Sequence, residues 1–156
     1  MTAQTLLWLE SSHHAAFRVG GWAWVRRDPS GAVSGHAGGD RRITAARTAL
    51  QALSMALKDV GGPVRVLTAA PLILAIPAHI AAARAGEDPP TEDLELWAQA
   101  MTALDGGRVE IARAGSDDRT HAFAAAWAEL GRDRAKDKGA FLLAIPKPNL
   151  AKAGAG

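Results

Sequence analysis

Glu10 is the residue whose position in this sequence best suits chemistry. It follows Leu6 to Leu9, a continuous apolar run. Such a run predicts a strand that is buried on both faces, as the central strand of a sheet would be. A carboxylate where a buried strand ends can present negative charge to a ligand, and it is also an ordinary way to finish a strand. The residue types alone leave both interpretations open.

Three arginines form a second group that could bind a ligand. Arg41, Arg42 and Arg47 lie at or near the start of a predicted helix, where guanidinium and backbone N–H groups can together hold phosphate. The net charge is only +2, but both ends of the chain are basic, and basic segments attract polyanions such as nucleic acid. The sequence shows no aromatic platform for stacking bases beside these arginines. Three solvated arginines on a mixed surface are the alternative.

The composition narrows the class of protein. The 156 residues suit one domain with a substantial core. The absence of cysteine excludes disulfides and thiolate metal sites. No apolar run is long enough to cross a membrane, and the N-terminus lacks the pattern of a signal peptide. We therefore expect a cytoplasmic protein that does not associate with membranes.

Hydrophobic periodicity predicts the elements that must position these residues. The predicted strands cover residues 4–10, 17–26, 32–36, 63–68 and 108–114. Asp40 is the predicted N-cap of a first helix over residues 41–59, and the last predicted helix covers residues 119–130. The order of strands and helices predicts an α/β fold. Its five-stranded mixed sheet has three antiparallel strands first and is flanked by helices.

The chain beyond the last predicted helix is a separate question. We assign residues 1–133 to the domain and residues 134–156 to a C-terminal extension that is partly disordered or docked. The apolar stretch FLLAIP lies in this extension between Lys138 and Lys147. It can add an edge strand, cover the domain's own surface, or bind another protein or a second copy. The candidate interaction residues are Phe141, Leu142, Leu143 and Ile145.

Over residues 1–133 these segments resemble the ribonuclease H type 1 family. Glu10 stands where the family's first strand ends in a catalytic aspartate, and Gly20-Gly21-Trp22 follows at the family's ten-residue spacing. Glu95-Leu96-Trp97 matches an Asp-Leu-Trp helix of the family. The resemblance implies an RNase H-like fold. In the family, this fold supports phosphodiester cleavage by two magnesium ions held on acidic side chains.

The same resemblance implies that most of the catalytic acids are missing. Ala45, Ala69 and His121 stand where the family has its other three acids, so Glu10 is the only one retained. One carboxylate and one imidazole cannot hold two hard cations close together. We therefore expect no cofactor, with Mg²⁺ or Mn²⁺ relevant only to a residual nuclease activity.

A different metal site is an alternative, because several imidazoles and carboxylates could converge near the strand ends. Such a set suits zinc or manganese better than magnesium. The ordinary interpretation places the two adjacent histidines in a loop and the third on a helix surface. The residues concerned are Glu10, His13, His14, His121 and either Asp117 or Asp118.

Two functions remain after this comparison. The favoured one is a catalytically inactive RNase H-like domain that acts as a protein-interaction or self-association module, with an unidentified protein or its own copy as partner. The alternative is a nucleic-acid-binding protein for RNA/DNA hybrid or structured RNA. In that case it would keep a residual or non-standard metal-dependent nuclease activity.

Overall fold

A single six-stranded sheet carries the fold in the computed structural model, which describes residues 3–156. The sheet has the strand order β5-β4-β1-β2-β3-β6. β1, β2 and β3 are antiparallel neighbours, β4 and β5 extend the sheet in parallel from β1, and β6 pairs antiparallel with β3. The strands are β1 Thr5–His14, β2 Val19–Arg27, β3 Val33–Arg41, β4 Val64–Thr68, β5 Val109–Arg113 and β6 Phe141–Ala144.

The predicted α/β class and the mixed sheet flanked by helices are confirmed, but the predicted number of strands is wrong. The sixth strand is β6, which the apolar stretch after Gly139 forms along the free edge of β3. Hydrophobic residues over only four positions fit a short strand and a docking peptide equally well. The periodicity therefore could not decide between them.

Within residues 3–156, six α-helices connect or follow the strands. They are α1 Ala45–Leu57, α2 Pro71–Leu74, α3 Ile76–Arg84, α4 Leu94–Leu104, α5 Arg119–Lys138 and α6 Lys147–Leu150. Among residues 3–156, none of the helices combines the length and the apolar character that a membrane crossing requires.

The first helix begins later than predicted, and its cap is a different residue. β3 continues through Asp40 to Arg41, and Arg42 then turns the chain with a left-handed φ of 56°. Thr44 is the N-cap, because its side chain accepts a hydrogen bond from the backbone N–H of Arg47 at 3.1 Å. Asp40 instead bonds the N–H of Arg41 within the strand end.

The two faces of the sheet bury different sets of side chains. On one face, Leu7, Leu9, Trp22 and Trp24 pack with α1 to α4, and on the other Trp8, Ala23 and Val25 pack with α5 and the C-terminal residues. Because β1 is covered on both faces, its side chains are apolar in continuous sequence rather than in alternation. Trp22 and Trp24 share a face and are both buried in the core, as their spacing in one strand predicts.

α5 lies unusually close to the sheet because both surfaces lack bulk. Its buried stripe consists of Ala124, Ala128, Gly131 and Ala135, and β2 and β3 present Gly21 and Gly39 beneath it. A methyl group added at Gly21 would overlap the backbone of Ala128 and Arg132. One added at Gly39 would come within 2.6 Å of the carbonyl oxygen of Gly131.

The boundary predicted between residues 133 and 134 falls inside α5. Beyond β6, the C-terminal residues lie on the same sheet face as this helix, with Ala153 and Ala155 buried. Thr120 donates a hydrogen bond to the carbonyl of Ala153 at 2.8 Å, and Arg27 donates to the carbonyl of Ala155 at 2.9 Å. These two contacts add to the burial of Ile145 and Leu150 in holding the C-terminal residues against the sheet.

We expect Gly21→Ala to lower the free energy of unfolding by about 1–3 kcal/mol, because the added methyl group forces α5 away from β2. Chemical denaturation at constant pH measures the change. Gly61→Ala is the matched control, since no atom lies within 4 Å of its added methyl group. If the two variants unfold alike, the close approach of α5 does not limit stability.

His36 should make stability depend on pH. Its ring stacks on Trp24 with centroids 5.2 Å apart, and burial, with a smaller effect from the charge of Arg26, lowers its pKa from the ordinary 6.5. The folded state therefore favours neutral imidazole, and stability should be complete above about pH 6.5 and fall as the pH drops below it. Unfolding measured at pH 7.5 and pH 5.5 should show a smaller loss in His36→Phe than in the wild type. Equal losses would contradict this.

Candidate functional site

Glu10 lies within β1, near the point where the neighbouring strand β4 ends. β1 continues four residues beyond it to His14, paired there with β2 alone, so the prediction that the strand ends at Glu10 is wrong. The parallel pairing with β4 stops at Trp8 and Leu67. The Glu10 side chain therefore sits beside the turn that leads from β4 into α2.

The carboxylate of Glu10 is buried, with 6% of the residue exposed. One of its two oxygens, Oε2, makes three polar contacts. Oε2 accepts hydrogen bonds from the hydroxyl of Thr68 at 3.0 Å and from the backbone N–H of Ala69 at 2.7 Å. Nε2 of His121 lies 3.0 Å from the same oxygen, without the alignment of a hydrogen bond. This contact becomes an ion pair when the imidazole is protonated.

This arrangement serves to hold secondary-structure elements together. Glu10 belongs to β1, Thr68 ends β4, and His121 lies in the first turn of α5, so one buried carboxylate connects all three. Ala45 and Ala69 supply no side-chain oxygen beside it. Within the described part of the chain, residues 3–156, no group of three or more His, Cys, Asp or Glu is placed to hold a metal ion.

The other histidines and acids considered for a metal site make separate contacts. Nε2 of His13 donates to the carbonyl of Ile43 at 2.7 Å, and His14 stacks on Phe17. Asp118 is the N-cap of α5, accepting from the N–H of His121 at 3.0 Å. Its second oxygen accepts from the indole N–H of Trp8 at 3.0 Å. Asp117 lies exposed in the turn before this cap.

The three candidate arginines do not form one surface. Arg47 makes an ion pair with Asp93 at 2.9 Å, which places its charge against α4. Arg41 and Arg42 are exposed at the end of β3. Next to them lies the β1–β2 turn, because the carbonyl of Arg18 accepts a hydrogen bond from the N–H of Ile43.

An exposed aromatic residue in that turn was missed by the sequence analysis. Phe17 is 54% exposed, and the ammonium group of Lys136 lies 3.6 Å from its ring centroid. The pairing of β2 with β1 on one side and with β3 on the other, with Val19 opposite Arg41, brings this ring near Arg41 and Arg42. Sequence distance gave no signal of it.

Two of the candidate interaction residues, Phe141 and Leu143, line a groove between α5 and β6. We call this groove, together with the exposed edge of β6, the α5–β6 surface. The groove has a volume of about 270 Å³. Leu130, which lines the groove, is 56% exposed, and Leu142, on the opposite face of β6, is 46% exposed. Ile145 differs from its neighbours, because it is buried in the domain's own core. The α5–β6 surface consists of Trp127, Leu130, Arg134, Phe141, Leu142 and Leu143.

The outer edge of β6 offers backbone hydrogen-bonding groups. The N–H of Ile145 donates to the carbonyl of Gly35 at 2.9 Å. Because bonded and non-bonded pairs alternate along antiparallel strands, Leu143 and Phe141 also face β3 with their backbone groups. The N–H and C=O groups of Leu142 and Ala144 consequently point away from the sheet. No strand formed by residues 3–156 pairs with them.

We expect Glu10→Ala to lower the free energy of unfolding by about 2–3 kcal/mol, because it leaves the Thr68 hydroxyl and the Ala69 N–H buried without an acceptor. Glu110→Ala is the control, since Glu110 makes only an exposed ion pair with Arg65, which is worth about 0–1 kcal/mol. Denaturation of both variants measures the difference. Similar small effects would mean that Glu10 does not hold β1, β4 and α5 together.

Comparison with known proteins adds no relative to this description. Neither a scan against protein-family models nor a search of curated proteins finds a match for the chain. A function for it must therefore be inferred from the geometry of its own residues.

Proposed function

We propose that this chain is a catalytically inactive RNase H-like domain that acts as a protein-interaction module through the α5–β6 surface. The observation that carries the proposal is the exposure of Leu130 and Leu142 beside a strand edge whose backbone groups are free. Apolar side chains and an open edge together form a surface that a partner protein can cover.

Two features support the inactive, RNase H-like half of the proposal. Three antiparallel strands followed by two parallel ones agree with the order that the resemblance implies. Glu10 is buried and engaged by Thr68, Ala69 and His121, so its better-bound oxygen is not open to an ion. A pair of magnesium ions needs several carboxylates in near-octahedral arrangements, and the alanines at positions 45 and 69 provide none.

The geometry of the groove supports the interaction half. Phe141 and Leu143 lie on the α5 side of β6, facing Trp127 across the groove. Leu142 alternates to the opposite face of the strand. A partner at this edge would therefore meet apolar side chains above and below its own backbone, and it would find hydrogen-bond donors and acceptors between them.

Nucleic-acid binding is a second candidate function, favoured by one observation. Arg41 and Arg42 share the end of the sheet with Arg18, Lys136 and the exposed ring of Phe17. Cations beside an exposed aromatic ring suit a single-stranded nucleic acid. Arg47 is not part of this group, because its guanidinium is paired with Asp93.

A photoreactive phenylalanine analogue at position 142 tests the interaction half in the native cell. We expect it to form specific protein adducts, because this side chain is exposed on β6 next to the free backbone groups of the edge. The same analogue at position 72 is the matched control, since Leu72 is a similarly exposed leucine, 43% exposed, on α2. Adducts are resolved by electrophoresis and identified by mass spectrometry.

Three outcomes would contradict the proposal. Absence of adducts from position 142, or the same adducts from position 72, would contradict the proposal that the α5–β6 surface binds a partner protein. Cleavage of an RNA/DNA hybrid with Mg²⁺ or Mn²⁺ that disappears in Glu10→Ala would remove the inactive assignment. Nucleic-acid binding that weakens steeply with salt and is lost in Arg41→Ala/Arg42→Ala would favour the second function.

A further inference from the structure

We infer that the occupant of the α5–β6 surface is an extended apolar segment of another protein, with acidic residues at its ends, which joins β6 as a seventh strand. This inference rests on the proposed function and specifies the partner. It follows from three properties of β6: the direction of its free backbone groups, the side chains beside it and the charges around it.

The free backbone groups set the length and conformation of the segment. Leu142 and Ala144 direct their N–H and C=O groups outward, as the bond between Ile145 and Gly35 requires. Pro146 has no N–H to offer, so the usable edge ends there. An added strand of about four residues would satisfy these groups in the way that an edge strand extends a sheet.

The side chains select an apolar segment. Every second residue of an added strand would point toward the groove of about 270 Å³ between α5 and β6. Trp127, Leu130 and Leu143 line that groove, and covering them removes apolar area from water. Residues of the segment that face the other way would lie beside Leu142.

The charges select acidic flanks. Lys138 precedes β6 and Lys147 follows it, and the guanidinium of Arg134 lies 5.0 Å from the ring centroid of Phe141. Arg41 reaches the same end, since its side chain lies next to Gly139. Residues 131–138 of α5 contain two acidic residues, Asp133 and Asp137, against four basic ones, so cations predominate around the edge. Carboxylates at both ends of an added strand would face these cations.

A second copy of the chain fits the edge poorly. Antiparallel pairing of β6 with the β6 of a second copy would bring Lys138 of one chain close to Lys147 of the other at both ends of the pair. Like charges in such positions oppose association. A short strand bounded by lysine and proline is typical of an edge that resists pairing with itself.

Selection from a random twelve-residue peptide library displayed on phage, with the purified full chain as bait, tests the inference. We expect the enriched peptides to share an apolar, strand-forming centre with Asp or Glu on both sides. Fluorescence anisotropy then measures their affinity for three variants and their controls.

Each variant isolates one property of the edge. Leu142→Pro removes one outward N–H without removing a bond to β3 and should abolish binding, as proline is tolerated at such a position. Lys138→Glu/Lys147→Glu should weaken acidic-flanked peptides about tenfold and favour basic-flanked ones. Leu142→Lys should weaken binding, whereas Leu72→Lys and Lys58→Glu, both distant from β6, should not.

The outcomes separate this inference from the proposed function. Enriched peptides without acidic flanks, or affinities unchanged by the double charge reversal, would overturn the acidic segment while leaving the surface in place. If the chain forms concentration-dependent dimers that Leu142→Pro abolishes, the occupant of the edge is a second copy of the chain and not a segment of another protein. If no enriched peptide binds more weakly to Leu142→Lys than to the wild type, and the chain is monomeric, both proposals are overturned.

Discussion

The close approach of α5 to the centre of the sheet is the constraint on which the rest of the structure depends. Gly21 and Gly39 lack side chains where Ala128, Gly131 and Ala135 cross them. The helix can therefore lie nearly on the backbone of β2 and β3. Its position determines where His121, in its first turn, meets Glu10 and where Trp127 and Leu130, near its middle, face β6. One packing contact between small residues thus sets the geometry of both the buried carboxylate and the exposed groove.

The buried carboxylate and the exposed groove have opposite energetic characters. Around Glu10, the Thr68 hydroxyl and the Ala69 N–H donate to the carboxylate, and removing this acceptor would leave both donors without a partner inside the protein. Along β6, backbone groups and apolar side chains remain open to solvent. A site that could hold a charged ligand is thus used to join strands and a helix. The α5–β6 surface, by contrast, leaves apolar side chains and backbone groups exposed.

Much of the fold could be predicted from the sequence because local patterns determine it. The apolar run before Glu10 and the same-face pair Trp22 and Trp24 identified buried positions correctly. The first helix began late because β3 gains pairing with β2 as far as Arg41, which no local pattern records. The contact of Arg47 with Asp93 and the nearness of Phe17 to Arg41 join residues distant in sequence. Such contacts arise only when the chain folds, so the candidate site was less predictable than the core.

β6 pairs with β3 across 99 intervening residues of the chain, over only four positions. A strand that pairs over few residues is among the first elements to detach when a protein opens locally. When β6 detaches, the glycine-rich edge of β3 is exposed. An exposed edge strand can pair with other chains and cause aggregation. A ligand that binds β6 would therefore also stabilise the folded chain, because binding shifts the equilibrium from the locally opened state toward the closed one. Amide exchange at Ala37 and Gly39, whose backbone groups face β6, would slow as the ligand saturates.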